Sequence, residues 1–297
     1  MRVAFLGLGA IGAPMASHVA KTFDLVVWNR TGAKSVAFAA QHGAKSAPTP
    51  AEAARGASIV ITCLPTSREV EEILHGPPGA DLLSGLESGA TLIDATSGDP
   101  ASSRRIAALL ATRNIGFIDA PVSGGVVGAE KGALTIMVGG DQQTLDRAMP
   151  VLETYGKKIV LAGPVGAGHA LKAVNNALLA VHIWSAGEGL AALAKAGVSP
   201  KAALDVINAS SGRSNASENL IPQRVLTRAF PRTFRLALLE KDVAIAADFL
   251  RDQKVASPVL QQIAELFRLA RVELGEEADH VEAVRLIERH ARQEISG

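Results

Sequence analysis

The first half of the chain alternates short apolar runs with alanine-rich stretches in which apolar positions recur at helical spacing. Short, fully apolar runs between turn residues predict strands that are buried on both faces. Strands are predicted at 3–6, 25–28, 59–64, 91–94, 116–119 and 135–139, and helices at 14–21, 34–42, 50–54, 68–74 and 102–112. Strands that alternate with helices form a parallel sheet covered on both faces. The pattern therefore predicts an α/β domain over residues 1–162.

The pattern changes at the glycine-rich stretch 163–168, after which strand-like runs disappear. A long Ala- and Leu-rich segment without proline runs from about 167 to 196, and Ser199-Pro200 then marks the start of another helix. Further helices are predicted at 201–208, 217–228, 236–252, 258–274 and 280–293. The sequence thus predicts an all-helical second domain over 163–297, joined to the first by one long helix.

The long helix also bears on assembly. A helix of this length extends about 45 Å at ~1.5 Å per residue, which is more than one small domain covers. We therefore expect a homodimer or homotetramer that forms through this helix.

Charge and cysteine content narrow the class of protein. The 30 basic and 29 acidic residues leave a net charge of +1, without the excess of Lys and Arg that a nucleic-acid or membrane partner requires. Cys63 is the only cysteine and lies in an apolar run, which favours a buried structural thiol and excludes an intrachain disulfide. The first residues do not have the pattern of a signal peptide, and no segment approaches the roughly 18 apolar residues of a membrane span. We expect a cytoplasmic protein.

A glycine motif follows the first predicted strand and opens a helix: Gly7-Leu8-Gly9-Ala10-Ile11-Gly12. In this context the first glycine permits a tight turn and the second lets a pyrophosphate approach the backbone. The third lets the helix pack closely on the strand. The N–H groups at the helix start favour an anion. The motif predicts a Rossmann-type, dinucleotide-binding first domain.

The end of the second strand bears on the choice of cofactor. NAD sites place Asp or Glu there to bind the ribose hydroxyls, whereas this chain has Asn29-Arg30-Thr31. An arginine can bind a 2′-phosphate, and Asn and Thr can donate hydrogen bonds to it. The segment favours NADP, with NAD as the alternative, unless Arg30 is only a solvated surface charge.

Two further segments carry candidate chemistry. Asp119-Ala120-Pro121-Val122-Ser123-Gly124-Gly125 follows a strand, and its Ser-Gly-Gly turn is either a cradle for a carboxylate or only a turn. Lys172 and Asn176 lie four residues apart, on one face of an apolar helix. A lysine in such a setting can have its pKa lowered toward neutrality, which suits proton transfer, although it can also extend to solvent. His169 has no carboxylate at a suggestive spacing and is expected on the helix surface. No cluster with metal-ligand spacing is present.

Several motifs in order resemble the 3-hydroxyacid dehydrogenase family, most closely its bacterial 3-hydroxyisobutyrate dehydrogenases. The resemblance covers nearly the whole chain. It rests on the glycine turn, Asp94-Ala95-Thr96-Ser97-Gly98, the segment 119–125, the helix from Gly168 to Asn176, and Lys241-Asp242. It implies that Lys172 is the catalytic acid and base and that Asn176 orients the substrate or the lysine.

The resemblance also implies the rest of the site. Ser123, Gly124 and Gly125 would bind the substrate carboxylate. Leu64, Pro65 and Thr96 would line the cofactor, and Lys241 and Phe234 would lie near the nicotinamide. The implied reaction is hydride transfer between a nicotinamide and a small hydroxy acid or semialdehyde, such as 3-hydroxyisobutyrate and methylmalonate semialdehyde in valine catabolism.

Two groups of alternatives stay open. The same scaffold could reduce glyoxylate, tartronate semialdehyde or succinate semialdehyde. In a different class, the chain could bind NADP without turning over a substrate.

Overall fold

The computed structural model describes residues 1–297, and the chain divides into two compact units, Met1–Lys172 and Ala173–Gly297. The division falls inside the long helix. The sequence pattern instead predicts the domain boundary between residues 162 and 163, where the last strand of the first unit ends.

A nine-stranded sheet forms the centre of the first unit. Its strands, β1 to β9 in chain order, are Arg2–Leu6, Asp24–Trp28, Lys45–Ser46, Ile59–Thr62, Thr91–Asp94, Gly116–Asp119, Val122–Ser123, Leu134–Gly139 and Gly156–Gly163. Strands β3, β2, β1, β4, β5 and β6 lie side by side in that order and are all parallel. The order reverses between β1 and β4, and in open α/β sheets such a switch point opens a crevice at the carboxyl ends of the strands. The predicted Rossmann-type fold is confirmed.

One edge of the sheet differs from the prediction. Strand β8 is antiparallel to β6 and β7 and parallel to β9, so the sheet is mixed rather than wholly parallel. The pattern also missed β3, β7 and β9. Strand β9 is mostly exposed and contains Lys157 and Lys158, so it lacks the continuous apolar run by which the buried strands were recognised. The other two strands contain only two residues each.

Helices cover both faces of this sheet. Helices α1 to α8 are Gly12–Ala20, Gly32–His42, Pro50–Ala54, Ser67–Leu74, Leu82–Gly85, Pro100–Ala111, Gly125–Glu130 and Gln142–Leu152. Alternate residues of β1 enter different cores: Val3 and Phe5 pack on one face, Ala4 and Leu6 on the other. The predicted helices are present, and α5, α7 and α8 are additional. Helix α6 starts two residues earlier than predicted because Asp99 accepts hydrogen bonds from its first turn.

The second unit is helical, as predicted. Helix α9, Ala167–Lys195, begins in the first unit and is followed by α10 (Pro200–Asn208), a π-helix (Ala216–Val225), α11 (Leu236–Asp252), α12 (Pro258–Leu274), a 3₁₀ turn (His280–Glu282) and α13 (Ala283–Ala291). Pro222 lies inside the π-helix, where the sequence predicts an ordinary helix. Since proline has no N–H to donate, it disrupts the α-helical bonding pattern there. The helices enclose one apolar core.

Helix α9 has 29 residues, and an 18-residue window within it has a mean hydropathy of 1.4. By length and composition alone it could cross a membrane, so the expectation that no segment approaches this limit is wrong for α9. Small and aromatic residues of the helix, among them Ala177, Ala180 and Trp184, pack in the core of the second unit. The core helix of a globular domain can meet the same criteria, so length and hydropathy alone are weak evidence for a membrane span.

Asp279 connects the chain before α11 to the turn before α13. Its side chain is fully buried and accepts backbone N–H bonds from Thr233, Phe234 and Val281 at 2.8, 3.0 and 3.1 Å. Burial by itself would raise the pKa of Asp279. The hydrogen bond and charge of His280, together with the backbone donors, outweigh burial and hold that pKa well below its usual range.

The Asp279→Asn variant should lower the free energy of unfolding by about 1–3 kcal/mol at pH 7, because buried donors lose their charged acceptor. A carboxylate with a depressed folded-state pKa stabilises the protein above its unfolded pKa. The difference between parent and variant should therefore be constant near neutrality and shrink as the pH falls below about 4. Urea unfolding from pH 7 to pH 3 measures this. Asp248→Asn, at an exposed ion pair, is the matched control. A difference that does not change with pH would contradict the prediction.

Candidate functional site

The segment Gly7–Gly12 joins β1 to α1 at the carboxyl end of the sheet, beside the switch point. Gly7 has a φ of +108°, which favours glycine, and its N–H donates to the Trp28 carbonyl at 2.9 Å. A methyl group on Gly7 would lie 2.2 Å from the carbonyl oxygen of Cys63, and one on Gly12 would lie 2.0 Å from the carbonyl oxygen of Gly7. The first and third glycines are therefore required by the protein's own packing.

Gly9 is different, because no atom lies within 4 Å of a methyl group placed on it. Ala10 beside it is exposed, and α1 has neither a side-chain cap nor an acidic residue in its first turn. The helix start thus presents N–H groups to an open space, which favours an anion. This arrangement fits the pyrophosphate of a nicotinamide dinucleotide.

The predicted NADP-selective segment follows β2. Asn29 is held in place: its Oδ1 accepts the Leu8 N–H at 3.0 Å, and its Nδ2 donates to the Thr31 carbonyl at 3.1 Å. Arg30 and Thr31 are exposed. Thr31 precedes α2 without capping it by its side chain, and the first turn of α2 has no acidic residue. Asn29 therefore couples this segment to the glycine turn, and nothing in the helix start would repel a phosphate.

The loops after β4 and β5 are joined through Asp94, which is almost fully buried. Its Oδ1 accepts the Thr62 hydroxyl at 2.9 Å and the Thr96 N–H at 3.1 Å. The Thr96 hydroxyl in turn accepts the Leu64 N–H at 3.1 Å. Two of the residues predicted to line the cofactor, Leu64 and Thr96, are thus hydrogen-bonded to each other. Pro65 follows Leu64 in the same loop.

Cys63 lies at the end of β4 and is partly buried. Burial raises the pKa of its thiol to about 12, and the nearby Asp94 carboxylate acts in the same direction. The thiol is therefore neutral at pH 7, as the predicted structural role requires. The Cys63 carbonyl is the group that excludes a side chain at Gly7.

The Ser-Gly-Gly turn lies between β7 and α7. Ser123 is partly buried at the end of β7. Gly124 and Gly125 have φ values of +137° and +63°, and no atom lies within 4 Å of a methyl group placed on Gly125. The turn therefore needs both glycines for its conformation and has open space beside the second one.

Asp119 fastens the start of α9 to the end of β6. Its two carboxylate oxygens accept the N–H groups of Gly166 at 2.6 Å and His169 at 2.8 Å. Burial raises the pKa of Asp119, against the effect of His169 and of the two backbone donors. A methyl group on Gly168 would lie 2.3 Å from the Met137 carbonyl, and one on Gly139 would lie 2.5 Å from an Asp119 oxygen. These contacts fix the first turn of the helix that carries Lys172.

The expectation that His169 lies on the helix surface is wrong, because its side chain is fully buried. Nδ1 is 2.7 Å from the Ser103 hydroxyl, and Nε2 is 3.9 Å from Asp94 Oδ2. Spacing along the chain could not show this, since both partners are more than 60 residues away. The buried imidazole therefore connects α9 to α6 and to the end of β5.

Lys172 is partly buried in α9, and Asn176 follows one turn later on the same helical face. Within the second unit, Asn176 is almost fully buried, and its Nδ2 donates to Asp242 Oδ2 at 2.6 Å. The Lys241 ammonium is 3.0 Å from the other oxygen of Asp242. Asp242, to which the sequence assigned no role of its own, thus joins two predicted site residues. Its adjacency to Lys241 was the available signal.

Phe234 lies in the second unit, just before α11. Its N–H donates to Asp279, its carbonyl accepts the His280 N–H at 2.9 Å, and the two rings are 5.4 Å apart. These contacts with Asp279 and His280 therefore set the position of Phe234. Its predicted contact with the nicotinamide stays a prediction.

In the first unit the structure brings the glycine turn together with Asn29, and Leu64 with Thr96. In the second unit it brings Asn176 together with Lys241 through Asp242. The sequence reasoning missed the buried carboxylates and the imidazole that position these residues. Their catalytic and binding roles are proposals.

Two family models match consecutive parts of the chain. Residues 2–163 match the model described as the NAD binding domain of 6-phosphogluconate dehydrogenase, which covers more than half of the chain. Residues 166–287 match the model described as the NAD-binding of NADP-dependent 3-hydroxyisobutyrate dehydrogenase. The chain therefore contains an NAD(P)-binding domain.

The Gly9→Ala variant should keep the parent's thermal stability and weaken NADPH binding at least about tenfold, because the added methyl group enters the space that the pyrophosphate would occupy. Gly12→Ala is the matched contrast. Its methyl group would overlap the Gly7 carbonyl, so the melting temperature should fall by several degrees, about 1–3 kcal/mol of stability. NADPH fluorescence titration and thermal unfolding measure the two effects. NADPH binding of Gly9→Ala equal to the parent's would contradict the prediction.

Full-length relatives narrow the family. The chain is 34% identical to the 2-(hydroxymethyl)glutarate dehydrogenase of Eubacterium barkeri, over 100% of this chain and 98% of that protein. It is 34% identical to the NAD-dependent L-serine dehydrogenase of Pseudomonas aeruginosa, over 90% and 91%. The solved structure of Mycobacterium tuberculosis 3-hydroxyisobutyrate dehydrogenase with L-serine matches with a TM-score of 0.88 and 30% identity, covering 96% of this chain and 98% of that one. From fold, sequence and domain matches alike, the chain belongs to the NAD(P)-dependent 3-hydroxyacid dehydrogenase family of enzymes.

Proposed function

We propose that this enzyme transfers a hydride between NADP and a small 3-hydroxy acid, with Lys172 as the general acid and base. The observation that carries the proposal is the placement of Lys172 one turn into a helix whose start is bonded to Asp119. Asp119 lies at the end of β6, four residues before Ser123 in the Ser-Gly-Gly turn. The Asp119 carboxylate thus anchors the start of the helix that carries Lys172 close to the turn that would bind the substrate.

The substrate class follows from the chemistry that the relatives' names share. 2-(Hydroxymethyl)glutarate, L-serine and 3-hydroxyisobutyrate each carry a primary alcohol on a carbon next to the one that bears the carboxylate. They differ only in the remaining group on the carbon that bears the carboxylate. We propose a substrate of this class, with 3-hydroxyisobutyrate, oxidised to methylmalonate semialdehyde, as the first candidate. That reaction would place the enzyme in valine catabolism.

Each site residue has a proposed part in this reaction. The hydroxyl of Ser123 and the backbone N–H groups of Gly124 and Gly125 would bind the substrate carboxylate, since such turns bind anions. Lys172 in its neutral form would take the proton of the substrate hydroxyl during oxidation and return it during reduction, and Asn176 would orient the substrate. General acid–base help of this kind is worth about 10²–10⁴ in rate. The bound nicotinamide supplies the hydride chemistry.

The preference for NADP over NAD rests on Asn29, Arg30 and Thr31. Asn29 is fixed by the glycine turn, and the exposed Arg30 lies beside a helix start without acidic residues. A guanidinium in this position would bind a 2′-phosphate through charge-assisted hydrogen bonds.

We also propose that the enzyme forms a homodimer or homotetramer through α9. Leu171 and Leu178 lie seven residues apart on this helix and are 42% and 46% exposed, so they share a face that a second copy could cover. The single cysteine and the balanced charge support a cytoplasmic location.

The Lys172→Ala variant should lose about 10²–10⁴ in kcat while its dissociation constant for NADPH changes by less than about threefold, because only the proton acceptor is removed. Assays of the parent against 3-hydroxyisobutyrate, serine and 2-(hydroxymethyl)glutarate identify the substrate to use. Lys195→Ala, at an exposed position in the last turn of α9, is the control. A kcat of Lys172→Ala within threefold of the parent's would refute the role.

The Arg30→Ala variant should raise the KM for NADP about tenfold or more and leave the KM for NAD nearly unchanged, since only NADP carries the phosphate. Steady-state kinetics with both cofactors measure this. Arg55→Ala removes an exposed arginine elsewhere in the first unit and serves as the control. A parent enzyme with a much lower KM for NAD than for NADP would overturn the preference.

A further inference from the structure

We infer that His169 is a positioning residue, which holds Lys172 in register with the substrate turn through its backbone and with the cofactor-lining loops through its side chain. The inference rests on the proposed role of Lys172. His169 precedes Lys172 by three residues, which is one turn of α9. Any rotation or shift of the first turn of this helix would therefore move the lysine as well.

The backbone of His169 supplies the first connection. Its N–H donates to Asp119 Oδ2 at 2.8 Å, while the other oxygen of Asp119 accepts the Gly166 N–H at 2.6 Å. Both bonds are buried. Because Asp119 ends β6 only four residues before Ser123 of the Ser-Gly-Gly turn, the helix start is anchored to the sheet close to that turn.

The imidazole supplies the second connection. Nδ1 is 2.7 Å from the Ser103 hydroxyl of α6, and Nε2 faces Asp94 Oδ2 at 3.9 Å. A methyl group on Gly98 would lie 2.7 Å from the ring, so the glycine makes room for it. The other oxygen of Asp94 accepts the Thr96 N–H, and the Thr96 hydroxyl accepts the Leu64 N–H. The ring thus lies against the carboxylate that organises both loops.

The two facing atoms separate this arrangement from ordinary core packing. Asp94 Oδ2 and His169 Nε2 are both buried, and neither has a hydrogen-bond partner. Each such atom costs about 1–3 kcal/mol, so an apolar side chain at position 169 would serve packing alone better. The His169 backbone N–H is bonded to the Asp119 carboxylate, whereas the imidazole faces the Asp94 carboxylate. In a low-dielectric interior, the attraction of the Asp94 carboxylate for an N–H at Nε2 orients the ring toward the cofactor loops.

Three substitutions at one position test the inference. His169→Gln places an amide near the position of Nε2, opposite Asp94. His169→Asn places one near the position of Nδ1, opposite Ser103. His169→Leu keeps the volume and removes both. The leucine variant should lose about 10–100-fold in kcat, the size expected for a misplaced catalytic group, with the NADPH dissociation constant within about threefold of the parent's. The glutamine variant should recover most of the loss and the asparagine variant should not.

A second readout does not depend on turnover. Pyridoxal phosphate followed by borohydride labels lysine amines, and peptide mass spectrometry gives the ratio of labelling at Lys172 to that at Lys195 of the same helix. A displaced Lys172 should change this ratio at least about threefold in His169→Leu, while His169→Gln keeps the parent's ratio.

The outcomes separate the two proposals. A parent-like kcat and labelling ratio in His169→Leu would overturn the positioning role, as would equal recovery by glutamine and asparagine. Equal losses of kcat and melting temperature in all three variants would also overturn it, since that is the signature of a packing residue. Failure of the proposed function would instead appear as an unchanged kcat in Lys172→Ala. The labelling ratio in the His169 variants, which keep Lys172, would still report the position of the lysine.

Discussion

The carboxylate of Asp119 accepts both N–H groups that fasten the start of α9 to the sheet. A helix start leaves its first N–H groups without partners inside the helix, and burying them unsatisfied would cost free energy. Asp119 meets this need with a charge that the helix dipole favours. The position of Lys172 in the first unit follows from this contact, because a rigid helix transmits the placement of its first turn to the next one.

The candidate chemistry of the first unit follows the ends of sheet strands. The glycine turn follows β1, Asn29 follows β2, and the loops of Leu64 and Thr96 follow β4 and β5. Parallel strands bring their carboxyl ends to one edge, so hydrogen bonds between neighbouring ends can align the loops. Asp94 and Asn29 make those bonds. A site built in this way derives its precision from the sheet, although most of its residues lie in loops.

The sequence allowed the fold to be predicted wherever burial produced a regular pattern. Strands such as β4 and β5 are buried throughout and have apolar residues at their centres, and the all-helical second unit was predicted from the loss of such runs. Strand β9 was missed because an exposed edge strand needs no apolar pattern. The glycine turn was readable because its requirements are local. The burial of His169 could not be predicted from the sequence, because it depends on Ser103 and Asp94, which only the tertiary fold brings near.

Two glycines outside the predicted site make the Asp119 contact sterically possible. A side chain at Gly139 would meet the carboxylate itself, and one at Gly168 would meet the backbone of β6 and β8. The effects of substitutions at these three positions are consequently not additive. An alanine at 139 is tolerable only after the acid has been shortened or moved, and moving the acid releases the helix start. In evolution or design the three residues would therefore have to change together, because a single substitution at any one of them disrupts the contacts of the other two.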